Sequence, residues 1–197
     1  MQDARQSRIA TALNLFERLA RLVVSKPEKL KISADITSVA VNLDITIHPD
    51  DYVTIVGTGR KNLVKMEYLL RLMLAGTGMD FYIPDVTDTG EPKSRLREWV
   101  NPNWPKEKVS RLMLELARAC FPNDRVALEV KDVPAMNGVS ERTRLNFLFE
   151  SADVDKDLWF VNAVSKLMQP CGKVCGRRIV TDRKIVTGAD LIKRATA

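Results

Sequence analysis

The sequence predicts an α+β protein made of two related halves, each a small mixed sheet with helices on one face. Three observations carry this. Apolar residues recur at spacings of three and four in several long segments, they alternate in several short ones, and the order of the segments repeats. The first half spans residues 1–90, a linker 91–105, and the second half 106–197.

Ile9, Leu13, Phe16, Ala20 and Val23 form one stripe between arginines, an amphipathic helix that Pro27 ends. Ile32, Ala34 and Ile36 alternate with polar residues, and after Thr37 and Ser38 so do Val39, Val41, Leu43, Ile45 and Ile47, giving two half-buried antiparallel strands. His48-Pro49-Asp50-Asp51 opens a short helix, and Gly57-Thr58-Gly59-Arg60 separates it from a second helix over 61–75. Met79 to Ile83 reads as a short strand. From Pro84 to Pro105, glycine, prolines and the tryptophans Trp99 and Trp104 read as linker.

The second half restarts with a helix, Lys106 to Phe121, and strands at Arg125 to Val133 and Arg142 to Glu150, joined by an Asn137-Gly138 turn. A helix at Asp153 to Met168 follows, then a loop at Cys171 to Gly176, a strand at Arg177 to Thr181 and a terminal helix at Ala189 to Ala197. This is the order of the first half without its Gly loop.

The chain has 197 residues, 45% of them hydrophobic, enough to bury a core. Its net charge is +6, and residues 171–197 alone carry seven basic side chains against two acids, a net +5. Such a tail fits a polyanionic partner. One histidine, His48, leaves no second imidazole for a His-rich metal site. Three cysteines without an apolar leader read as reduced thiols in a cytoplasmic protein, and no apolar run is long enough to cross a membrane.

Residues 47–70, IHPDDYVTIVGTGRKNLVKMEYLL, resemble the core of the KH family of RNA-binding domains, whose hallmark is Ile/Val-Ile/Val-Gly-x-x-Gly between two short helices. Ile55-Val56-Gly57 matches the first half of that hallmark, and helix, strand, strand, helix, helix, strand is the order of the type II version. The second hallmark glycine would fall at position 60, where this chain has Arg60. A Cβ there blocks the close approach of a sugar-phosphate chain, unless Gly59 supplies the freedom one residue early and Arg60 and Lys61 add charge. The resemblance implies that about four single-stranded nucleotides lie beside the loop on an apolar floor. By position, Gly57, Thr58, Gly59, Arg60 and Lys61 form the loop, Lys65 lies one turn beyond, and Val64 is either floor or core.

A rival reading takes Val53 to Gly59 as the first strand and turn of a dinucleotide-binding fold, with Asp80 as ribose acid. Position 62 is Asn rather than the third glycine, and the preceding alternating strands look antiparallel. Cys171 and Cys175 lack partners for a metal site and read as loop thiols. Asp50, Asp51, Asp153, Asp155 and Asp157 read as helix-start acids rather than catalytic pairs, and Trp159 as core.

These features predict a non-enzymatic protein without a cofactor that binds single-stranded RNA, with single-stranded DNA as the second candidate. The contacts expected are the Gly57 to Lys61 loop, Lys65, and the basic residues Lys173, Arg177, Arg178, Arg183 and Lys184. The other classes are a nucleotide-dependent enzyme using Gly57 and Gly59 as a phosphate loop, and a homodimeric protein-interaction module.

Overall fold

A computed structural model describes residues 2–93, 106–123, 125–134, 142–150, 154–174 and 178–187. The expected Asn137-Gly138 turn, the terminal helix from Ala189, Arg177, and the linker tryptophans Trp99 and Trp104 lie outside the described residues. The chain is an α+β protein and divides into two compact units, Met1–Trp99 and Val100–Ala197.

In the first unit, α1 (Gln2–Val23) is followed by β1 (Lys31–Ile36) and β2 (Ala40–Ile47), then α2 (Tyr52–Ile55), α3 (Lys61–Leu74), β3 (Asp80–Tyr82) and β4 (Val86–Asp88). β2 is the middle strand. β1 pairs with it antiparallel, Ile32 opposite Ile45 and Ala34 opposite Leu43, while β3 runs parallel to its first half and β4 to its second. The segment from Pro84 was expected to be linker; β4 instead continues the edge after a bend at Ile83 to Asp85, because the far half of β2 needs a hydrogen-bonding partner.

The alternation in β2 sets the core: Val41, Leu43, Ile45 and Ile47 are buried, with Ile9, Phe16 and Leu19 of α1 and Leu63, Met66 and Leu70 of α3. Arg8 of α1 donates from Nε to the Met73 carbonyl at 2.9 Å, satisfying an open acceptor at the negative end of α3. β1 departs from the half-buried strand expected of it. It lies at the sheet edge, with Ala34 and Ile36 exposed and Ile32 partly covered.

The second unit repeats the plan. α4 (Lys106–Cys120) precedes β5 (Val126–Val133) and β6 (Arg142–Phe149); α5 (Val154–Val174) leads to β7 (Arg178–Ile185). β6 is central, antiparallel to β5 and parallel to β7 over eight residue pairs. Phe121, Phe147, Phe149 and Phe160 meet mostly edge to face, with centroids 5.0–6.4 Å apart. Such pairs each add roughly 1 kcal/mol beyond area burial.

The expected loop at Cys171 to Gly176 is helical as far as Val174, so α5 runs unbroken for 21 residues. The equivalent stretch of the first unit is split into α2 and α3. That split is what positions the candidate site.

Candidate nucleic-acid interface

α2 is one turn long. Val56 N–H donates to the Tyr52 carbonyl at 2.8 Å and Gly57 N–H to Val53 at 3.0 Å. The backbone then leaves the helix: Gly57 has φ 75° and ψ 165°, a region essentially reserved for glycine. Gly59 (φ 63°) and Arg60 (φ 62°) are both left-handed, and α3 starts at Lys61.

The loop is closed from beneath by Asn62, a role that no local sequence pattern signals. The Val56 carbonyl accepts from the Asn62 and Leu63 N–H groups, both at 3.2 Å, and Asn62 Nδ2 donates to the Thr54 carbonyl at 2.8 Å. A Cβ on Gly57 would lie 2.8 Å from Asn62 N and 2.9 Å from its Cγ. Glycine is therefore required at 57 for space as well as for φ. Around Gly59 a Cβ would meet nothing within 4 Å, so there the requirement is conformational alone. The N–H groups of Thr58 and Gly59 make no hydrogen bond within the described residues and lie exposed ahead of α3, where aligned peptide dipoles favour an anion.

Position 60 keeps the left-handed backbone that a glycine would adopt freely, but the residue is arginine, and the conformation costs it about 1 kcal/mol. Its guanidinium is folded back on the β3–β4 bend. Nη2 donates to the Ile83 carbonyl at 3.3 Å and Nη1 to the Pro84 carbonyl at 3.5 Å, with Glu67 Oε1 3.7 Å and Asp85 Oδ1 3.9 Å away. The charge expected to face a phosphate is thus parked across the gap between α3 and the sheet edge.

Val64 is 51% exposed, so the core alternative for it is corrected. It sits three residues after the exposed Lys61 and three before Glu67, on one side of α3. Lys65, partly buried, lies one turn beyond Lys61 on the same flank of α3, turned away from Glu67 two residues on. Val53 of α2, also exposed, adds apolar surface beside the loop.

The dinucleotide reading needed a strand at 53–56. Residues Tyr52–Ile55 are helical, so that strand is absent and the Gly-x-Gly follows a helical turn instead.

The acids at 50 and 51 are part of a buried polar network rather than simple caps. Asp51 accepts from Ser25 N and Oγ, each at 2.7 Å, and from Lys26 N at 3.0 Å, binding the end of α1 to the start of α2. His48, 2% exposed, accepts the Asp50 N–H at Nδ1, and Lys26 Nζ lies 3.4 Å from Asp50 Oδ2. Nearby, Lys29 Nζ bonds Glu91 Oε1 at 2.7 Å; this bond holds the Glu91 carboxyl below the usual glutamate range and the Lys29 ammonium above the usual lysine range.

The basic concentration after residue 170 is not a tail as far as Ile185. Lys173 belongs to α5 and Arg178 opens β7. Arg183 turns inward, Nε 3.4 Å from Oδ2 of Asp157, so its charge is compensated; Asp157 lies in the first turn of α5, as expected, and is fully buried there. Lys184 is exposed. Trp159, expected in the core, is 54% exposed, because Phe160 takes the inward position on α5.

Among the described residues, no group of His, Cys, Asp and Glu is placed to hold a metal ion, and no helix is long and apolar enough to cross a membrane. No family model matches the chain, and no curated protein matches its sequence.

Proposed function

We propose that the first unit binds single-stranded RNA at the Gly57 to Lys61 loop, as a degenerate type II KH-like domain without catalysis of its own. One observation carries this reading: Gly57, Gly59 and Arg60 are all at positive φ, which leaves the Thr58 and Gly59 amides exposed and unbonded ahead of a 14-residue helix. A phosphate accepts from those amides, Lys61 adds charge, and the neighbouring bases lie over Val64. Phosphate contacts fix register and base contacts give preference. The second unit has a similar sheet plan, but its α5 is unbroken and, among its described residues, no such loop interrupts the helix. A reducing cytoplasmic setting goes with this role, since the buried Cys120 is in no disulfide.

Fluorescence anisotropy with labelled single-stranded RNA and DNA tests the reading. Thr58→Glu and Lys61→Glu place acids on exposed loop positions, and each is expected to weaken RNA binding severalfold or more, with wild-type affinity falling steeply with salt. Titration curves unchanged in both variants would remove the loop from the account.

A further inference from the structure

We propose that Glu67 reads the base at this loop, released for that task when Arg60 turns from it to a phosphate; the inference rests on the RNA reading above. In the structure Arg60 bridges from the loop to the Ile83 and Pro84 carbonyls, with Glu67 and Asp85 as its acidic neighbours. Half-exposed ion pairs at 3.7 and 3.9 Å are weak. A phosphate carries a full charge and accepts two parallel bonds from a guanidinium, so it competes well for Arg60.

Once Arg60 leaves, Glu67 is a carboxylate with only 23% of its side chain exposed, one turn past the exposed Val64 and facing the β3–β4 bend. A covered carboxylate needs donors. A base lying on Val64 supplies them if it carries an exocyclic amino group, as cytosine and adenine do; uracil presents a carbonyl oxygen at the corresponding edge, which the carboxylate repels. The ligand class is therefore a single strand with an amino-bearing base at the position beside Glu67.

The test is a binding series with the full chain and equal-length oligo(C), oligo(A) and oligo(U). The variants are Glu67→Gln, Glu67→Ala, Thr58→Glu and Lys61→Glu, each checked for folding by thermal unfolding. Wild type is expected to bind oligo(C) or oligo(A) about tenfold more tightly than oligo(U). Glu67→Gln, whose amide also donates, is expected to raise oligo(U) binding until the preference falls below about twofold. Equal wild-type affinities for the three strands overturn the inference, as does a preference that survives in both Glu67 variants; if Thr58→Glu still weakens binding, the RNA reading stands without it. If Thr58→Glu and Lys61→Glu leave all binding unchanged, the RNA reading fails and this inference falls with it.

Discussion

Gly57 and Asn62 share one small space: the Asn62 backbone nitrogen stands 2.8 Å from where a Gly57 Cβ would be, while the Asn62 amide spans to the Thr54 carbonyl. The loop therefore has a hard end and a soft end. At Gly57 a side chain meets both a clash and a forbidden φ. At Gly59 only the φ matters.

Gly57→Ala should accordingly destabilise the first unit by about 2–3 kcal/mol and weaken RNA binding, the backbone having to leave its observed path. Gly59→Ala should cost about 1 kcal/mol, and Gly59→Asn less, since asparagine tolerates the left-handed region. Urea denaturation of the three variants measures the order.

Arg60 allows backbone strain to be separated from side-chain contacts. Arg60→Gly and Arg60→Ala both delete the guanidinium, but only glycine is relaxed at φ 62°. The glycine variant should be the more stable of the two by about 1 kcal/mol in thermal or denaturant unfolding. Equal stabilities would mean that the left-handed conformation is not held at this position.

In the second unit, Arg183→Ala should cost on the order of 3 kcal/mol because it leaves the buried Asp157 carboxylate without that cation. Asp157→Leu combined with Arg183→Met should recover most of the loss. For the same reason, a truncation meant to remove charge must begin after Thr187, because residues 183–185 belong to β7. Denaturation of the single and double variants measures the coupling.

The Lys29–Glu91 bond predicts a small pH dependence with a definite sign. Glu91 is held below its ordinary range, so its contribution is present at neutral pH and is lost as pH falls through that depressed range. Lys29 is held above its range, so its contribution persists at neutral pH and is lost only as pH rises past the usual lysine range. Carboxyl NMR should find the Glu91 midpoint low, rising towards the ordinary value in Lys29→Ala and at high salt, since the pair is exposed to solvent.

Much of the fold was legible in the sequence. The strand parity of Val41, Leu43, Ile45 and Ile47 matches their burial, and the stripe of α4 through Val109, Leu112 and Leu116 faces its core. Both follow from local periodicity, which any sheet or helix imposes on its apolar residues. The misreadings have other causes. Pro84 reads as the start of a linker because proline and an acid look like punctuation, yet the pairing demand of β2 draws Val86–Asp88 into the sheet. Trp159 and Phe160 are adjacent and both aromatic, so pattern alone could not say which one faces inward.

The sequence by itself determined the order of the main helices and strands apart from β4, most of the apolar faces and the Gly57 to Arg60 break, since each depends on residues within a few positions of one another. Tertiary structure decided where the charges go. Arg60 finds the Ile83 carbonyl 23 residues away and Arg183 meets Asp157 across α5 and β7, and Asn62 fits under Gly57 only after the chain has turned. A long cationic side chain is drawn to whichever acceptors folding brings within its reach, and those lie on elements that local pattern cannot bring together.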